Sequence, residues 1–251
     1  RSFSSIWLPE RHFSNFGGLY PNPATLHAAL ATQTNNISLR AGSVVLPLHN
    51  PLKIVEEWSI VDNLSNGRVG ISFASGWNPD DFAFYPEEYA ERHHKLFEKV
   101  RLVQKVWSGS PIAVKNGIGK DVKVRVYPTP LQKNLPTWIT ASGNPQTFEK
   151  AGEIGAHLLT HLFDQSIEEL AEKIFIYRQA RKKAGYENSS SCITVALHCY
   201  LGENIEEVRE KVRKPYCNYL KTNINLLQKF IDGRSLDIDI KSLPDDDINH
   251  I

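Results

Sequence analysis

Apolar runs of strand length alternate with longer helical patterns along nearly the whole chain, and this alternation constrains the fold more than any composition figure. Strand-like runs at residues 4–9, 37–48, 68–75, 136–142, 156–163 and 192–202 are each followed by a helical pattern: 22–35, 50–67, 86–107, 144–155, 166–185, and from 204 to about Phe230. An open doubly wound sheet and a (β/α)8 barrel both predict this order. The barrel is favoured because the strand runs end in polar or small residues: Glu10-Arg11-His12, Leu48-His49, Ser75-Gly76, Ser142-Gly143, Thr160-His161 and His198. A barrel gathers such ends on one face. No GxGxxG follows the first strand, as a dinucleotide fold would require. The expectation is therefore an α/β fold, a (β/α)8 TIM barrel formed as one domain over residues 1–251 and incomplete at both ends. Residues 108–135, rich in Gly, Pro and Lys, read as an excursion with a short hairpin that forms either a lid over the mouth or a rim decoration. The abrupt start, the acidic finish and the absence of Met suggest part of a longer chain.

Composition excludes several partners. With 29 Lys+Arg against 28 Asp+Glu, nothing attracts nucleic acid or an anionic membrane surface. No apolar run approaches the ~20 residues of a membrane span. Cys192, Cys199 and Cys217 form no CxxC and leave one thiol over, which points to a reducing, cytoplasmic setting. No HExxH or HxH occurs, and His93-His94 face different ways on a helix, so a metal site has little support. There is no GxSxG elbow for an acyl-transfer serine.

Four stretches carry chemistry. In "TASGNPQT" a strand ends in Ser142-Gly143-Asn144 and a helix follows at once. Backbone N–H groups and the positive helix end then converge on one point, with Ser142, Asn144 and Thr147 as added donors, which suits a phosphate. The same residues also serve as a plain cap with Pro145 at the first helical position. In "GRVGISFASGWNPDDF" the small residues Ala74-Ser75-Gly76 either let a flat ring lie against the backbone or make a tight turn, with Asn78-Pro79 as its signal. In "LPERHF", strand alternation sends one or two of Glu10, Arg11 and His12 into the mouth. The alternative is a Glu–Arg pair plus a packed histidine. In "VVLPLHNP", His49 is a weaker candidate, as are His161 and His198.

These segments resemble the bacterial-luciferase-like family of flavin-dependent monooxygenases, most closely the domains of polyketide and nonribosomal peptide assembly of the mupirocin-pathway type. The resemblance rests on "WLPERHFSNFGGLYPNP", "LRAGSVVLPLHNPLKIVEEWSIVDNLSNGRVGISFASGWNPDDF", "PTWITASGNPQTFEKAGEIGAHLLTHLF" and "EELAEKIFIYRQARKKAG", in family order. It implies one reduced FMN at the carboxyl ends of the strands, supplied by a separate flavin reductase. The phosphate is expected at Ser142, Gly143, Asn144 and Thr147. The ring system is expected beside Ala74, Ser75 and Gly76, near Leu48 and Thr160, with Glu10 also at the cofactor, and a non-proline cis peptide is expected around Pro47–His49. Luciferases carry two histidines after this glutamate, whereas this chain has Arg11 and then His12. Arg11 cannot act as a base; it suits a carboxylate or a flavin peroxide anion, leaving His12 or His198 as acid/base. The implied substrate is an acyl or peptidyl intermediate, small or tethered to a carrier protein, and a homodimer is expected. The alternatives are a deazaflavin-dependent oxidoreductase and a non-catalytic flavin-binding subunit.

Overall fold

A computed structural model describes residues 3–14, 18–187 and 189–221. The part of the last predicted helix that reaches toward Phe230 lies outside them. Six parallel strands form one sheet: β1 (Ser5–Leu8), β2 (Ser38–Val45), β3 (Val69–Ala74), β6 (Thr137–Thr140), β7 (His157–His161) and β8 (Ile193–Ala196), side by side in that order. Helices α1 (Pro23–Gln33), α2 (Pro51–Leu64), α3 (Arg92–Trp107), α4 (Pro145–Glu153), α5 (Ile167–Lys183) and α6 (Ile205–Lys221) follow the strands. β4 (Ile112–Lys115) and β5 (Asp121–Val124) pair as a separate antiparallel hairpin.

One device starts three of the six helices. Asn22-Pro23, Asn50-Pro51 and Asn144-Pro145 each put Asn at the cap and Pro at the first helical position, and the Asn Oδ1 accepts the N–H of Thr25, Leu52 or Gln146 at 2.9 Å. Proline gives up no hydrogen bond there, because that N–H has no helical partner anyway. α5 instead uses a full capping box, Ser166 with Glu169. On the helix side, Val55, Trp58, Val61, Val100, Val103, Trp107 and Phe148 are buried against the sheet.

The sheet is curled into a half-barrel. Trp7 on β1 packs edge-to-face on Trp138 of β6, centroids 5.4 Å apart. These strands are three positions apart, and a flat sheet would separate them by roughly 14 Å. The Arg40 guanidinium lies 4.3 Å from the Trp138 ring centre and 5.5 Å from that of Trp7. A Cβ on Gly70 would come within 3.0 Å of Trp138. This aromatic–cation plug fills the amino end of the interior. The next inward layer is small and hydroxylated: Thr140 Oγ1 bonds Ser43 and, at 2.7 Å, Ser72. Among the described residues, the open volume of the interior lies at the carboxyl end.

Several expectations need correction. The helix expected from residue 86 starts at Arg92, because Pro79–Phe84 and Pro86–Glu88 form separate 3-10 turns. The run 37–48 ends as a strand at Val45; Leu46–Leu48 turn, since Pro47 has no N–H for a ladder. The non-proline cis bond is Gly42–Ser43, not one near Pro47–His49, and the β2/β3 register shifts there. The excursion 108–135 is neither lid nor rim. Leu131 and Gln132 donate backbone N–H groups to Asp62 near the end of α2, and Gln132 Nε2 reaches the Val69 carbonyl at the start of β3. That is the amino end of the strands, opposite the open end. Among the described residues, no helix is long and apolar enough to cross a membrane.

Candidate active site

The carboxyl ends of all six parallel strands surround one cavity of about 920 Å³. Ligand sites commonly occupy 300–1,000 Å³. Glu10, Arg11, His12, Ala74, Ser75, Gly76, Ser142, Gly143, Asn144, Thr147, Thr160 and His198 all line it, so strands far apart in sequence bring nearly every predicted residue together. Leu48 is the exception. The 3-10 turn points it away, into a small cluster with Val45 and Phe82, where it is buried.

On one wall, Ser142, Gly143 and Asn144 lead into α4, with Thr147 in its first turn. A Cβ built on Gly143 meets nothing within 4 Å, so this backbone faces open space. The Asn144 Oδ1 is committed to the Gln146 N–H, leaving only its Nδ2 to donate to a ligand. Arg92 and His93 at the start of α3 line the cavity as well. Arg92 donates from Nε to the Gly76 carbonyl at 3.2 Å and stacks on Tyr89.

Gly76 corrects the reading of the small-residue turn. Its φ is +86°, and a Cβ there would lie 2.8 Å from both Phe82 and Val45. Packing and backbone conformation require this glycine, while Ala74 and Ser75 face the cavity. Asn78 is a cap, with its Oδ1 accepting from the Asp80 N–H.

Thr160 forms part of the opposite wall and is buried. Gln165 Nε2 donates to its Oγ1 at 3.2 Å and to the His161 carbonyl at 2.6 Å, and Lys173 Nζ holds the Gln165 Oε1 at 2.8 Å. With Oγ1 accepting from Gln165, the Thr160 hydroxyl hydrogen is directed elsewhere.

The strongest electrostatic feature is centred on Glu10, whose side chain is 1% exposed. Oε1 accepts from His12 Nε2 at 2.7 Å and His49 Nε2 at 2.6 Å, and Oε2 accepts from the Val45 N–H at 2.7 Å. The carboxylate of Glu10 is thus held by His12, His49 and the Val45 N–H, while the residue also lines the cavity. Burial raises its carboxyl, but the bonds from His12 and His49, the charge of His49 and the Val45 N–H together hold it below the usual range. The bond to Glu10 raises His12 above an ordinary histidine, although burial opposes this. Asp81, also buried and on the cavity wall, is raised by desolvation and takes Asn78 Nδ2 at 2.9 Å. His198 is exposed against the rings of Tyr216 and Tyr219, and desolvation lowers its pKa.

One group and one pairing escaped the sequence reading. The Ser43–Thr140–Ser72 hydroxyl layer had a signal: polar residues inside otherwise apolar strand runs. His49 was noticed as a histidine after a strand, but nothing in the sequence joined it to Glu10, 39 residues away.

A sequence profile of luciferase-like monooxygenases matches residues 1–240. The oxygenase component of a flavin-dependent trigonelline monooxygenase from Acinetobacter baylyi is 31% identical over 177 residues, covering 66% of this chain and 47% of that protein. The chain thus spans about half the length of the curated relatives it matches. The crystal structure of the monooxygenase RslO1 from Streptomyces bottropensis superposes with a TM-score of 0.79 at 24% identity, covering 93% of this chain and 72% of the other. The oxygenating constituent of 3,6-diketocamphane monooxygenase from Pseudomonas putida, a type II Baeyer-Villiger enzyme solved with FMN, gives 0.73 at 17% identity, covering 95% and 72%. At these identities the two structures establish the fold alone.

Proposed function

The chain belongs to the luciferase-like monooxygenase family, and from that premise we propose that it is the flavin-dependent oxygenase of a two-component system, using reduced FMN delivered by a separate reductase. The observation that supports this reading best is the cup itself: a deep cavity at the carboxyl strand ends with an open glycine, Gly143, beside a helix N-terminus. The residues present fit the cofactor. Gly143 leaves its backbone approachable, Ser142 and Thr147 add hydroxyls, and the α4 terminus favours an anion. Ala74 and Ser75 offer a wall with little side chain, above a floor of hydroxyl groups. When bound, reduced FMN would supply two electrons and the centre at which oxygen is activated.

The chain's own work is positioning, shielding and proton supply. A monooxygenase puts one oxygen atom of O2 into its substrate and releases the other as water, which consumes two protons. His12 is the residue suited to hold a proton in the cavity. Glu10 occupies its Nε2, so Nδ1 is the nitrogen that exchanges a proton, and Glu10 favours the protonated ring. His198 is shifted the other way and is the weaker acid candidate at neutral pH. Arg11 contributes a fixed positive charge for an anionic group.

The substrate belongs to the same proposal: an acyl or peptidyl intermediate of natural-product assembly, free or carrier-bound. Sequence resemblance supports this part, as it does a homodimer. The decisive experiment titrates FMN into the wild-type protein and Gly143→Leu, with flavin fluorescence as the readout. The introduced side chain enters open space, so stability should stay within about 0.5 kcal/mol, while FMN affinity falls by roughly tenfold or more. Unchanged affinity would refute the cradle. Turnover with reduced FMN and with a reduced deazaflavin, with and without oxygen, then tests the reaction type.

A further inference from the structure

We propose that His49 is a positioning residue for His12: from outside the cavity it grips the same oxygen of Glu10 and thereby governs how that carboxylate orients the histidine inside. This rests on the oxygenase reading only for its effect on turnover; the coupling itself is a property of the protein without cofactor.

Both imidazoles approach Oε1 through Nε2, at 2.7 and 2.6 Å. The other oxygen is taken by the Val45 N–H, and the carboxylate has almost no contact with solvent. An ionised carboxylate oxygen only accepts. Each Nε2 must therefore carry hydrogen, and a neutral His12 must present a bare Nδ1. The two histidines lie on different sides of Glu10. His12 lines the large cavity. His49 does not; it borders a separate indentation of about 20 Å³ with Asn22, Glu57 and Trp58, and its side chain is 28% exposed.

Backbone contacts keep His49 in place. Its N–H donates to the Leu46 carbonyl at 3.0 Å, and Lys99 Nζ binds the Pro47 and His49 carbonyls at 2.8 and 3.1 Å. The other charged groups near the pair come from four elements. Asp81, in the turn after β3, accepts the His12 backbone N–H. Glu57 on α2 borders the indentation and pairs with Lys53. Lys99 on α3 lies near Glu88, and Arg11 follows Glu10 in the chain. None of these replaces Glu10 as the acceptor for either ring.

Two donors on one oxygen compete. The hydrogen bond and charge of His49 draw on Glu10 and weaken its hold on His12. A contact outside the cavity is thereby coupled to the proton held within it.

The test follows histidine ring nitrogens by long-range ¹H–¹⁵N NMR in the full protein across pH. Wild-type His12 should show the Nε2–H tautomer when neutral. His49→Phe removes the competitor and should raise the His12 titration midpoint, whereas His49→Gln keeps a neutral donor and should raise it less. Glu10→Gln should lower the midpoint, since the bond and charge that oppose burial are lost and only the Asp81 charge still raises it. A His12 midpoint unmoved by His49→Phe, or a neutral His12 protonated on Nδ1, overturns the proposal. If the midpoint moves but the pH profile of turnover ignores both His49 variants, the coupling stands and His12 loses its place in the chemistry.

Discussion

Acid should unfold this protein through a histidine remote from the cavity. His27 on α1 has no exposed surface, packs 5.4 Å from the Trp58 ring, and neither of its ring nitrogens has a well-formed hydrogen bond among the described residues. Burial pushes its pKa down from 6.5 to about 4, and the nearby backbone of Arg40 and Pro23 offsets only part of this. Because the folded value lies below the unfolded one, the unfolded chain takes up the proton first as pH falls. Stability is thus complete above about pH 6.5 and drains away toward pH 4. A gap of about 2.5 units corresponds to about 3 kcal/mol in full, of which about 2 kcal/mol is gone by pH 5. For a protein with a typical 5–15 kcal/mol of stability this is a large share. His12 works in the opposite sense: its raised value adds stability at low pH that is lost as pH rises. Glu10, depressed, adds a further loss at lower pH. Comparing wild-type with His27→Leu isolates the one residue. Urea unfolding from pH 7.5 to 4.5 should give a shallower pH slope for His27→Leu by up to one proton, whatever the offset between the curves. Parallel curves would refute the reasoning, because His27 would then titrate alike in both states.

Two more outcomes follow from packing. Gly76→Ala places a methyl 2.8 Å from Phe82 and Val45 at a φ of +86°, which should cost about 2–4 kcal/mol through overpacking and left-handed strain; an unchanged urea midpoint would mean that the turn after β3 repacks freely. Asp62→Ala orphans the Leu131 and Gln132 backbone N–H groups and leaves Gln132 Nε2 with the Val69 carbonyl alone, so about 2–4 kcal/mol should be lost and limited proteolysis should cut within 108–135 first. FMN affinity of the folded Asp62→Ala protein should not change, and a loss would place the excursion at the cavity after all.

What could be read beforehand divides along a physical line. Element order and most helix starts are local chemistry: Asn-Pro at three caps and the Ser166–Glu169 box act within four residues. The cup was legible because parallel strands put their polar ends on one side whatever the side-chain details. Direction around a tight turn and contacts across the sheet were not. Leu48 turned inward because a 3-10 turn breaks the alternation of a strand. His49 met Glu10 only because β1 and β2 are neighbours in the sheet.

The misplacement of the excursion has a different origin, since the alternation itself held the answer. In a parallel βα array each strand runs toward the mouth and each helix returns from it. An insertion after a helix therefore lies at the closed end, and one after a strand lies at the open end. Residues 108–135 leave α3, so they belong below the aromatic–cation plug, where Asp62 and Val69 hold them. Residues 75–91 leave β3, so the same rule puts them at the mouth. There Trp77 is 43% exposed on the cavity wall and Asp81 lies against His12. That second segment forms part of the entrance, and its second 3-10 turn, Pro86–Glu88, falls where the sequence predicted the opening of a helix.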